Sequence, residues 1–199
     1  MIEARNFIGG EFVDAVEGAW LERRNPATGE LESKCALSGH LDVVRSIQAA
    51  NKALQSWTKL DPAARAERVH AFTRAIETRL EEIAKTQCRE TGVPILASRA
   101  SVRRGIEALH ASVQVFLSRS EPSVLTSKVQ AAGHRLPIGI VGIISSWSDA
   151  AFFLLSRIGA ALLNGNCVIA KPSSLAPGTA QLIAQAAMDS GLPSGVLNL

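Results

Sequence analysis

Cysteine is scarce in this sequence, and its few occurrences exclude two classes of protein. Cys35, Cys88 and Cys167 are the only three among 199 residues. An odd number of widely separated cysteines fits neither a disulfide framework nor a zinc site, and it favours a reducing compartment. All three are expected to be structural. Cys167 lies inside an apolar run, where burial raises the pKa of a thiol and makes it unreactive.

Long apolar runs, a leader sequence and a strong charge imbalance are also missing. No uncharged apolar run reaches the roughly 18 residues of a membrane span, and residues 1–6 lack the basic-then-apolar pattern of a signal peptide. The net charge is +3, with hydrophobic residues at 47% and charged residues at 20%. These values are ordinary for a globular protein and indicate neither nucleic acid nor a membrane as partner. We therefore expect a soluble, cytoplasmic protein.

Histidine is rare as well, and its positions offer no metal site. The four histidines are His40, His70, His110 and His134. They show no metal-ligand spacing. We expect no bound metal, and we expect these side chains to lie on the surface or on helix faces.

The first 36 residues consist of short β-forming runs separated by turn signals, and we interpret them as a β arm. Residues 6–13 alternate around Gly9-Gly10, where glycine supplies the positive φ values of a tight hairpin turn. A second pair of strands is expected over residues 20–37, around the turn cluster at residues 25–29.

Helical periodicity dominates residues 37–123. A helix is predicted from His40 to Trp57, and one longer helix from Pro62, after the N-cap Asp61, to about residue 90. A further helix is predicted over residues 95–118. The apolar face of the first helix is formed by Val43, Val44, Ile47, Ala50, Ala53, Leu54 and Trp57.

Two apolar, β-branched runs lie near the end of the sequence, over residues 138–145 and 166–170. Each run ends in small polar residues, and a helical pattern over residues 150–164 separates them. A second helix over residues 177–190 leads to a third strand at residues 196–199. Alternating strands and helices require a parallel sheet with right-handed crossovers.

The predicted fold class is therefore α/β, with an incomplete Rossmann-like dinucleotide-binding sheet over residues 137–199. The β arm, the helical part and an extended connecting segment at residues 124–136 precede this sheet.

Four motifs in this order resemble the aldehyde dehydrogenase superfamily. They are Phe7-Ile-Gly-Gly-Glu-Phe-Val-Asp14, Asn25-Pro-Ala-Thr-Gly-Glu30, Gly165-Asn-Cys-Val-Ile-Ala-Lys-Pro-Ser173 and Gly191-Leu-Pro-Ser-Gly-Val-Leu-Asn198. The match runs from about residue 6 to the end and corresponds to the N-terminal half of the family. The family's dinucleotide fold lacks the common Gly-x-Gly-x-x-Gly fingerprint, which is absent here too.

The resemblance implies an NAD(P)-dependent enzyme that oxidises an aldehyde through a cysteine thiohemiacetal, hydride transfer to the nicotinamide and thioester hydrolysis. By position, Lys171 would bond the adenosine ribose, and Trp147 would line the cofactor cleft. The helix after the second strand would offer its N-terminal amides to the pyrophosphate. The residues expected at the NAD or NADP site are Ile144, Ser145, Ser146, Trp147, Lys171, Ser173 and Ser174.

Purely structural interpretations of the same residues stay open. Lys171 also fits an ordinary lysine at a strand end, and Trp147 also fits a packing residue. Ser148 and Asp149 also fit an N-cap pair of the following helix.

Departures from the family pattern bear on catalysis. Ser148 stands where the family has an asparagine whose amide stabilises the oxyanion, and losing one such donor typically lowers the rate about a hundred- to a thousandfold. Gly92-Val93-Pro94 replaces the usual Gly-Lys-Pro. The family's nucleophilic cysteine, general-base glutamate and glycine-rich turn after the third strand belong to sequence beyond Leu199, so we expect no catalytic residue in this chain and no activity from it alone.

Ser174 stands where many NAD-preferring members carry a glutamate, so NADP is expected to be tolerated with at most a weak preference for NAD. An apolar wall near residues 106–116 and 148–155 would favour a hydrophobic aldehyde. Its apolar members are Ile106, Phe116, Phe152 and Phe153. A homodimer or homotetramer is implied by the resemblance, with residues 124–136 taking part.

Two functions are open at this point. The first is an aldehyde dehydrogenase of which this chain is the N-terminal part, with a truncated end. The second is a non-catalytic relative kept for binding or assembly. The altered loop at residues 146–150 favours the second function. The ordinary motifs and the end inside a predicted strand favour the first, because an exposed strand edge promotes association.

Overall fold

Five short strands open the chain, four helices follow, and the last third alternates strands with helices. The computed structural model describes residues 1–118 and 136–199. The strands are β1 (Ile2–Ala4), β2 (Asn6–Ile8), β3 (Glu11–Val13), β4 (Trp20–Arg24), β5 (Leu31–Ala36), β6 (Ile140–Ile144), β7 (Cys167–Lys171) and β8 (Leu197–Asn198). The helices are α1 (His40–Trp57), α2 (Pro62–Thr78), α3 (Leu80–Thr91), α4 (Ile95–Leu117), α5 (Ala150–Leu163) and α6 (Pro177–Asp189).

The last third forms a parallel sheet in the order β6-β7-β8, which confirms the predicted α/β fold. The register runs from Ile140 opposite Cys167 to Ile144 opposite Lys171, so that β6 and β7 end side by side. Helices α5 and α6 form the two crossovers. Since parallel strands in such a unit end at the same edge, this edge is where the loops of the site meet.

Two buried asparagines tie the loops before the strands to the sheet. The side chain of Asn166 accepts a hydrogen bond from the Gly139 amide at 2.9 Å and donates one to the carbonyl of Ala161 at 3.1 Å. The side chain of Asn198 donates to the carbonyl of Val168 at 3.2 Å. A buried amide whose donors and acceptor are all paired fixes backbone position at little energetic cost.

The hairpin predicted at residues 6–13 is confirmed, with Gly9 and Gly10 at φ angles of 65° and 89°. It also meets the sheet, because Phe7 and Leu199 exchange backbone hydrogen bonds of 2.8 and 2.9 Å. The edge of the third strand, expected to be open, is therefore covered at this position.

The predicted second pair of strands is confirmed as β4 and β5, which run antiparallel. Strand β1 was not predicted from the sequence. It pairs in parallel with β5, with Ile2 opposite Ser33 and Ala4 opposite Cys35. A run of three residues is too short to show an alternating pattern, which explains its absence from the prediction.

The single helix predicted from Pro62 to about residue 90 is wrong, because the chain breaks at Arg79. Arg79 has φ −103° and ψ 7° and separates α2 from α3. Its guanidinium forms ion pairs with Glu82 and with Asp189 at the end of α6. The apolar spacing continues through the break, and periodicity alone does not reveal it.

The apolar face predicted for α1 is wrong at two positions. Val43 and Ile47 are exposed, whereas Asp42 and Ser46 are buried on the inner face. The carboxylate of Asp42 accepts hydrogen bonds from the Gly39 amide at the start of the helix and from Val16, which explains its burial. The helix is therefore rotated relative to the expectation.

Helices α4 and α5 pack closely because each contributes a glycine to the contact. A Cβ added to Gly105 would lie 2.7 Å from Leu155 Cδ1, and one added to Gly159 would lie 2.5 Å from Leu109 Cδ2. Both leucines are fully buried. Backbones can approach this closely only where no side chain separates them.

The segment predicted to connect domains and to support oligomerisation, residues 124–136, lies outside the described residues except for Leu136. His134 lies outside them as well. Among the helices that the structure describes, none is both long and apolar enough to cross a membrane.

Candidate functional site

The residues predicted to meet a cofactor lie together at the carboxyl ends of β6 and β7. Ile144 and Lys171 are register partners, and the Ser145 amide donates to the carbonyl of Lys171 at 3.2 Å. Ser145 itself is buried. The side chains of Ile144 and Lys171 are both exposed at this edge.

Lys171 extends from the last position of β7. Within residues 1–118 and 136–199 its ammonium has no ion pair and no side-chain hydrogen bond. A strand-end cation without a protein partner is well suited to bind hydroxyl groups or an anion. The four preceding residues of β7 are more buried than Lys171, which is exposed. Its charge therefore lies where the sheet meets solvent.

The loop after β6 carries Ser146, Trp147 and Ser148. The hydroxyl groups of Ser146 and Ser148 lie 3.1 Å apart in hydrogen-bond contact, and the Ser148 amide donates to Ser146 Oγ at 3.3 Å. Trp147 is 43% exposed, which excludes a role purely in the core. This loop is therefore a small serine-lined surface with one half-exposed indole beside it.

Asp149 occupies the N-cap position of α5, but its side chain makes no capping hydrogen bond. Instead its carboxylate forms an ion pair with the guanidinium of Arg104 on α4. The N-cap interpretation is thus correct for the position of Asp149, but the side chain of Asp149 does not cap the helix. The ion pair joins the loop to α4.

The start of α5 is held by two buried side chains from α3 and α4. Gln87 Oε1 accepts hydrogen bonds from the Ala151 amide at 3.1 Å and from the Ser101 hydroxyl at 3.4 Å. Ser101 Oγ accepts from the Phe152 amide at 3.4 Å. Gln87 Nε2 is buried without a hydrogen-bond partner in the described part of the chain. These contacts position the helix that follows the serine loop.

The expectation that α6 offers its N-terminal amides to a pyrophosphate is wrong. The carboxylate of Glu90 accepts hydrogen bonds from the Gly178 amide at 2.6 Å and from the Thr179 amide at 3.0 Å. The hydroxyls of Thr179 and Ser33 donate to the same carboxylate at 2.9 and 2.6 Å. A protein carboxylate already fills the place that an anion would take at this helix N-terminus.

Glu90 is fully buried, and burial raises the pKa of its carboxyl group. The four donors favour the ionised form and oppose that shift. Since the nearest described partners are hydroxyls and amides and not cations, the group acts as a structural acceptor. It connects α3, β5 and α6 beneath the site.

Ser173 and Ser174 follow β7, and the structure gives them different roles. Ser173 Oγ accepts a hydrogen bond from the Leu175 amide at 3.2 Å, and its carbonyl accepts one from Ala176 at 3.0 Å, so it shapes the turn into α6. Ser174 is exposed, with no side-chain partner among the described residues. Of the two, Ser174 has the side chain that is available to a ligand.

The structure supports the prediction of an unreactive thiol for Cys35 and for Cys167. Cys167 is fully buried in β7, and burial raises the pKa of its thiol to about 11. Burial also raises the pKa of Cys35, with the charge of Glu90 acting in the same direction. Thiolates are therefore disfavoured at both positions near neutral pH.

The apolar wall expected near α4 and α5 differs from the prediction. Ile106 is packed in the core and is only 8% exposed, so it cannot contact a ligand. Phe152 and Phe153 are half-buried, and guanidinium groups cover them: Arg104 lies 5.1 Å from the Phe152 ring centroid and Arg157 lies 4.9 Å from that of Phe153. The wall is thus cationic as well as aromatic.

His70 and His110 lie with ring centroids 6.0 Å apart, and His110 Nε2 contacts Glu77 at 3.0 Å. In the described ranges, no three histidine, cysteine or acidic side chains are grouped as metal ligands.

Residues 12–199 match the model of the aldehyde dehydrogenase family. The chain is 31% identical to a 2-hydroxymuconic semialdehyde dehydrogenase of Pseudomonas sp. (strain CF600), covering 100% of this chain and 42% of that protein. It is also 31% identical to a malonate-semialdehyde dehydrogenase of Bacillus cereus, covering 98% of this chain and 40% of the relative.

Solved structures show the same similarity. A mutant of aldehyde dehydrogenase C from Pseudomonas syringae, crystallised with NAD+ and octanal, superposes with a TM-score of 0.91 at 28% identity. The match covers 98% of this chain and 40% of that one. The chain therefore spans about two fifths of the length of the proteins it resembles.

Proposed function

The chain belongs to the aldehyde dehydrogenase family, and from this membership we propose that it is the N-terminal, cofactor-binding portion of an NAD(P)-dependent aldehyde dehydrogenase. The observation that supports this proposal most directly is the meeting of the serine loop after β6 with Lys171 after β7, at the carboxyl edge of a parallel sheet. Dinucleotides bind at such edges.

The described residues fit a dinucleotide at two points. Lys171 presents an ammonium with no described protein partner, and Trp147 presents a half-exposed indole on the neighbouring loop. Lys171 would donate hydrogen bonds to ribose hydroxyls, and the backbone at Ser145 and Ser146 would form the floor below. The amides of Gly178 and Thr179 do not fit a pyrophosphate, because Glu90 holds them.

When bound, the nicotinamide cofactor accepts hydride from the substrate. The residues of this chain orient it and complete one side of the reacting centre. Ser148 would face the oxyanion with its hydroxyl, because its backbone amide already donates to Ser146 Oγ. The Ser146–Ser148 contact holds both hydroxyl groups on one side of the loop, which limits how well Ser148 replaces an asparagine amide.

We propose that both NAD and NADP are accepted. Ser174 is exposed and uncharged where a carboxylate would repel a 2′-phosphate. Lys171 lies at the end of the same strand and would attract that phosphate. Strong selectivity for NAD would contradict this part of the proposal.

The test is titration of the purified 199-residue chain with NAD+ and with NADP+, together with an activity assay. We expect both cofactors to bind and to quench Trp147 fluorescence. Because the family's cysteine and glutamate are not among these residues, we expect no reduced cofactor on adding an aldehyde. The absence of cofactor binding, or turnover that depends on Cys35, Cys88 or Cys167, would contradict the proposal.

A non-catalytic binding or assembly module is the second candidate. The observation in its favour is the serine loop, in which the Ser148 hydroxyl bonds that of Ser146 and no side-chain amide is present at this position. The intact mass of the protein isolated from its source separates the two. A mass near that of the relatives supports the enzyme, and a mass of 21.1 kDa supports the module.

The remaining expectations belong to the same proposal. They are a soluble cytoplasmic protein, a homodimer or homotetramer, and an aldehyde as substrate. The proposal also includes the division of the chain into a β arm that ends at residue 36, a helical part that ends at residue 123, a connecting segment that ends at residue 136, and the sheet that follows.

A further inference from the structure

A groove of about 420 Å³ lies between α1 and the hairpin that β2 and β3 form. We call it the α1–hairpin groove. Its volume is within the range that is typical of small-molecule sites. Its lining residues are Ile8 and Val13 from the hairpin and Arg45, Gln48, Ala49 and Lys52 from α1. The four residues from α1 have the spacing of a single helix face.

The groove lies at the opposite edge of the sheet from Lys171. A Cβ added to Gly195 would lie 2.6 Å from the carbonyl oxygen of Ala49, which lines the groove. Gly195 precedes β8, whereas Lys171 is the last residue of β7. Since parallel strands begin at one edge and end at the other, the groove is at the amino edge. It is therefore separate from the residues that would meet the cofactor.

Close backbone contacts hold the two walls of the groove in place. The Gly9 amide donates a hydrogen bond of 3.0 Å to Asn198 Oδ1, which attaches the hairpin turn to β8. A Cβ added to Gly10 would lie 2.6 Å from Ser194 Oγ, in the loop before β8. The same loop meets α1 at Ala49. The groove is therefore preformed, and a ligand would not have to order its walls.

The polar rim of the groove has no protein partner, and its charge is positive. Arg45, Gln48 and Lys52 are exposed, and within residues 1–118 and 136–199 none of them has an ion pair or a side-chain hydrogen bond. One carboxylate shares the hairpin face, because the exposed Glu11 is the register partner of Ile8. Two cations against one carboxylate leave a net positive rim beside an apolar wall.

We propose that the α1–hairpin groove binds a carboxylate that carries an unbranched apolar chain, the chemistry of a medium-chain fatty acid. Charge complementarity assigns the carboxylate to Arg45 and Lys52, and Gln48 supplies an amide donor between them. Ile8 and Val13 form the wall along which the chain lies. This site goes beyond the proposed function, because its ligand would bind away from the cofactor residues.

The experiment titrates octanoate, octanol and butanoate into the ¹⁵N-labelled chain while the amide resonances of Gly9 and Ala49 are followed. We expect octanoate to bind about fivefold more tightly than octanol, because ion pairs at an exposed site contribute modestly. It should bind about tenfold or more tightly than butanoate, since each further methylene that is buried adds affinity. Equal affinities, or no binding of octanoate, would overturn the inference.

Nonspecific binding to other apolar surface is recognised in the same spectra. Ile138 and Ile144 are 88% and 82% exposed, beside β6 and away from the groove. Octanoate that shifts the resonances of these residues and leaves those of Gly9 and Ala49 unchanged would refute the site. Added salt should weaken octanoate binding and leave octanol binding unchanged, because salt screens exposed charges.

Substitutions on the rim should act in opposite directions. Arg45→Gln and Lys52→Gln should each weaken octanoate binding about two- to fivefold without changing octanol binding. Glu11→Gln should strengthen octanoate binding, because it removes the carboxylate that repels the ligand. The matched control is Arg68→Gln, which removes an exposed cation from α2 and should change nothing. Equal effects of Arg45→Gln and Arg68→Gln would show that only the overall charge matters.

An acidic segment of a protein partner is the alternative occupant, and hexaglutamate is its probe. This peptide has carboxylates and no apolar chain, so it should bind more weakly than octanoate. If hexaglutamate binds more tightly, the groove selects charge alone and the inference is wrong. The dispersion of each spectrum shows directly whether a variant is folded.

Discussion

Glu90 and Thr179 make two hydrogen bonds through a single carboxylate oxygen. Glu90 Oε2 accepts both the backbone amide of Thr179 at 3.0 Å and its hydroxyl at 2.9 Å. The two residues lie on α3 and α6, far apart in sequence. Their contact fixes the start of the helix that follows Lys171, and so the turn that presents this lysine.

Glu90→Gln should destabilise the protein by about 2 kcal/mol, because an amide nitrogen would face donors that now meet an acceptor, and a buried unsatisfied donor costs about 1–3 kcal/mol. Urea denaturation measures the change. Glu107→Gln, at an exposed position on α4, is the matched control and should have an effect below about 0.5 kcal/mol. Equal stability of the two variants would show that the buried contacts contribute nothing.

The same carboxyl group should make stability depend on pH. Burial raises the folded-state pKa of Glu90 above its ordinary value of 4.5, so the folded protein takes up this proton more readily than the unfolded chain. This contribution is complete below pH 4.5 and is lost as pH rises through the folded-state pKa. The stability difference between wild type and Glu90→Gln should therefore shrink as the pH rises above 4.5. A difference that grows over this range would contradict the assigned direction.

Lys171→Met should weaken NAD+ binding about tenfold or more, since hydrogen bonds from a charged group typically contribute about 1.5–3 kcal/mol. Fluorescence titration measures the affinity. Lys85→Met, on the exposed side of α3, serves as the control. If both variants bind like wild type, Lys171 is an ordinary strand-end lysine.

Gly159→Ala should destabilise the protein. Overpacking typically costs about 1–3 kcal/mol, and the higher helix propensity of alanine offsets about 1 kcal/mol of that cost. The new methyl group would lie 2.5 Å from Leu109 Cδ2, and Leu109 is fully buried, so its side chain or the helix has to shift within the packed core. Thermal unfolding measures the change. Gly142→Ala, where the added Cβ meets no atom within 4 Å, is the control. A stabilised Gly159→Ala protein would show that the helices move apart easily.

Cys167 should react with iodoacetamide about a hundredfold more slowly than Cys88 at about pH 8, because burial raises its pKa to about 11 and the thiolate is the reactive form. Mass spectrometry of the digested protein follows both sites. In concentrated urea the two rates should converge. Rapid labelling of Cys167 in the folded protein would be inconsistent with its burial.

Much of the fold follows from local patterns in the sequence. The apolar runs ending at Ile144 and Lys171 identify the parallel strands, because β-branched residues and short length separate them from helices. Gly9-Gly10 identifies the hairpin in the same way. These features depend on neighbours in sequence, which is what a pattern records.

The parts that could not be predicted depend on contacts between distant residues. Nothing near Glu90 in the sequence indicates that it caps α6, and Gln87 gives no sign that it meets the amide of Ala151. The sequence around Arg104 likewise gives no sign that it pairs with Asp149. Packing of the folded chain determines such polar partners, and the sequence distance between two partners does not predict their contact.

The bonds between Phe7 and Leu199 link the first hairpin of the chain to a residue that lies far along the sequence. On the ribosome, the hairpin is therefore synthesised long before Leu199, with which it exchanges these bonds. Contacts of such sequence separation form late and slow the overall rate of folding. Until they form, the hairpin lacks the partner that its backbone groups bond in the folded protein.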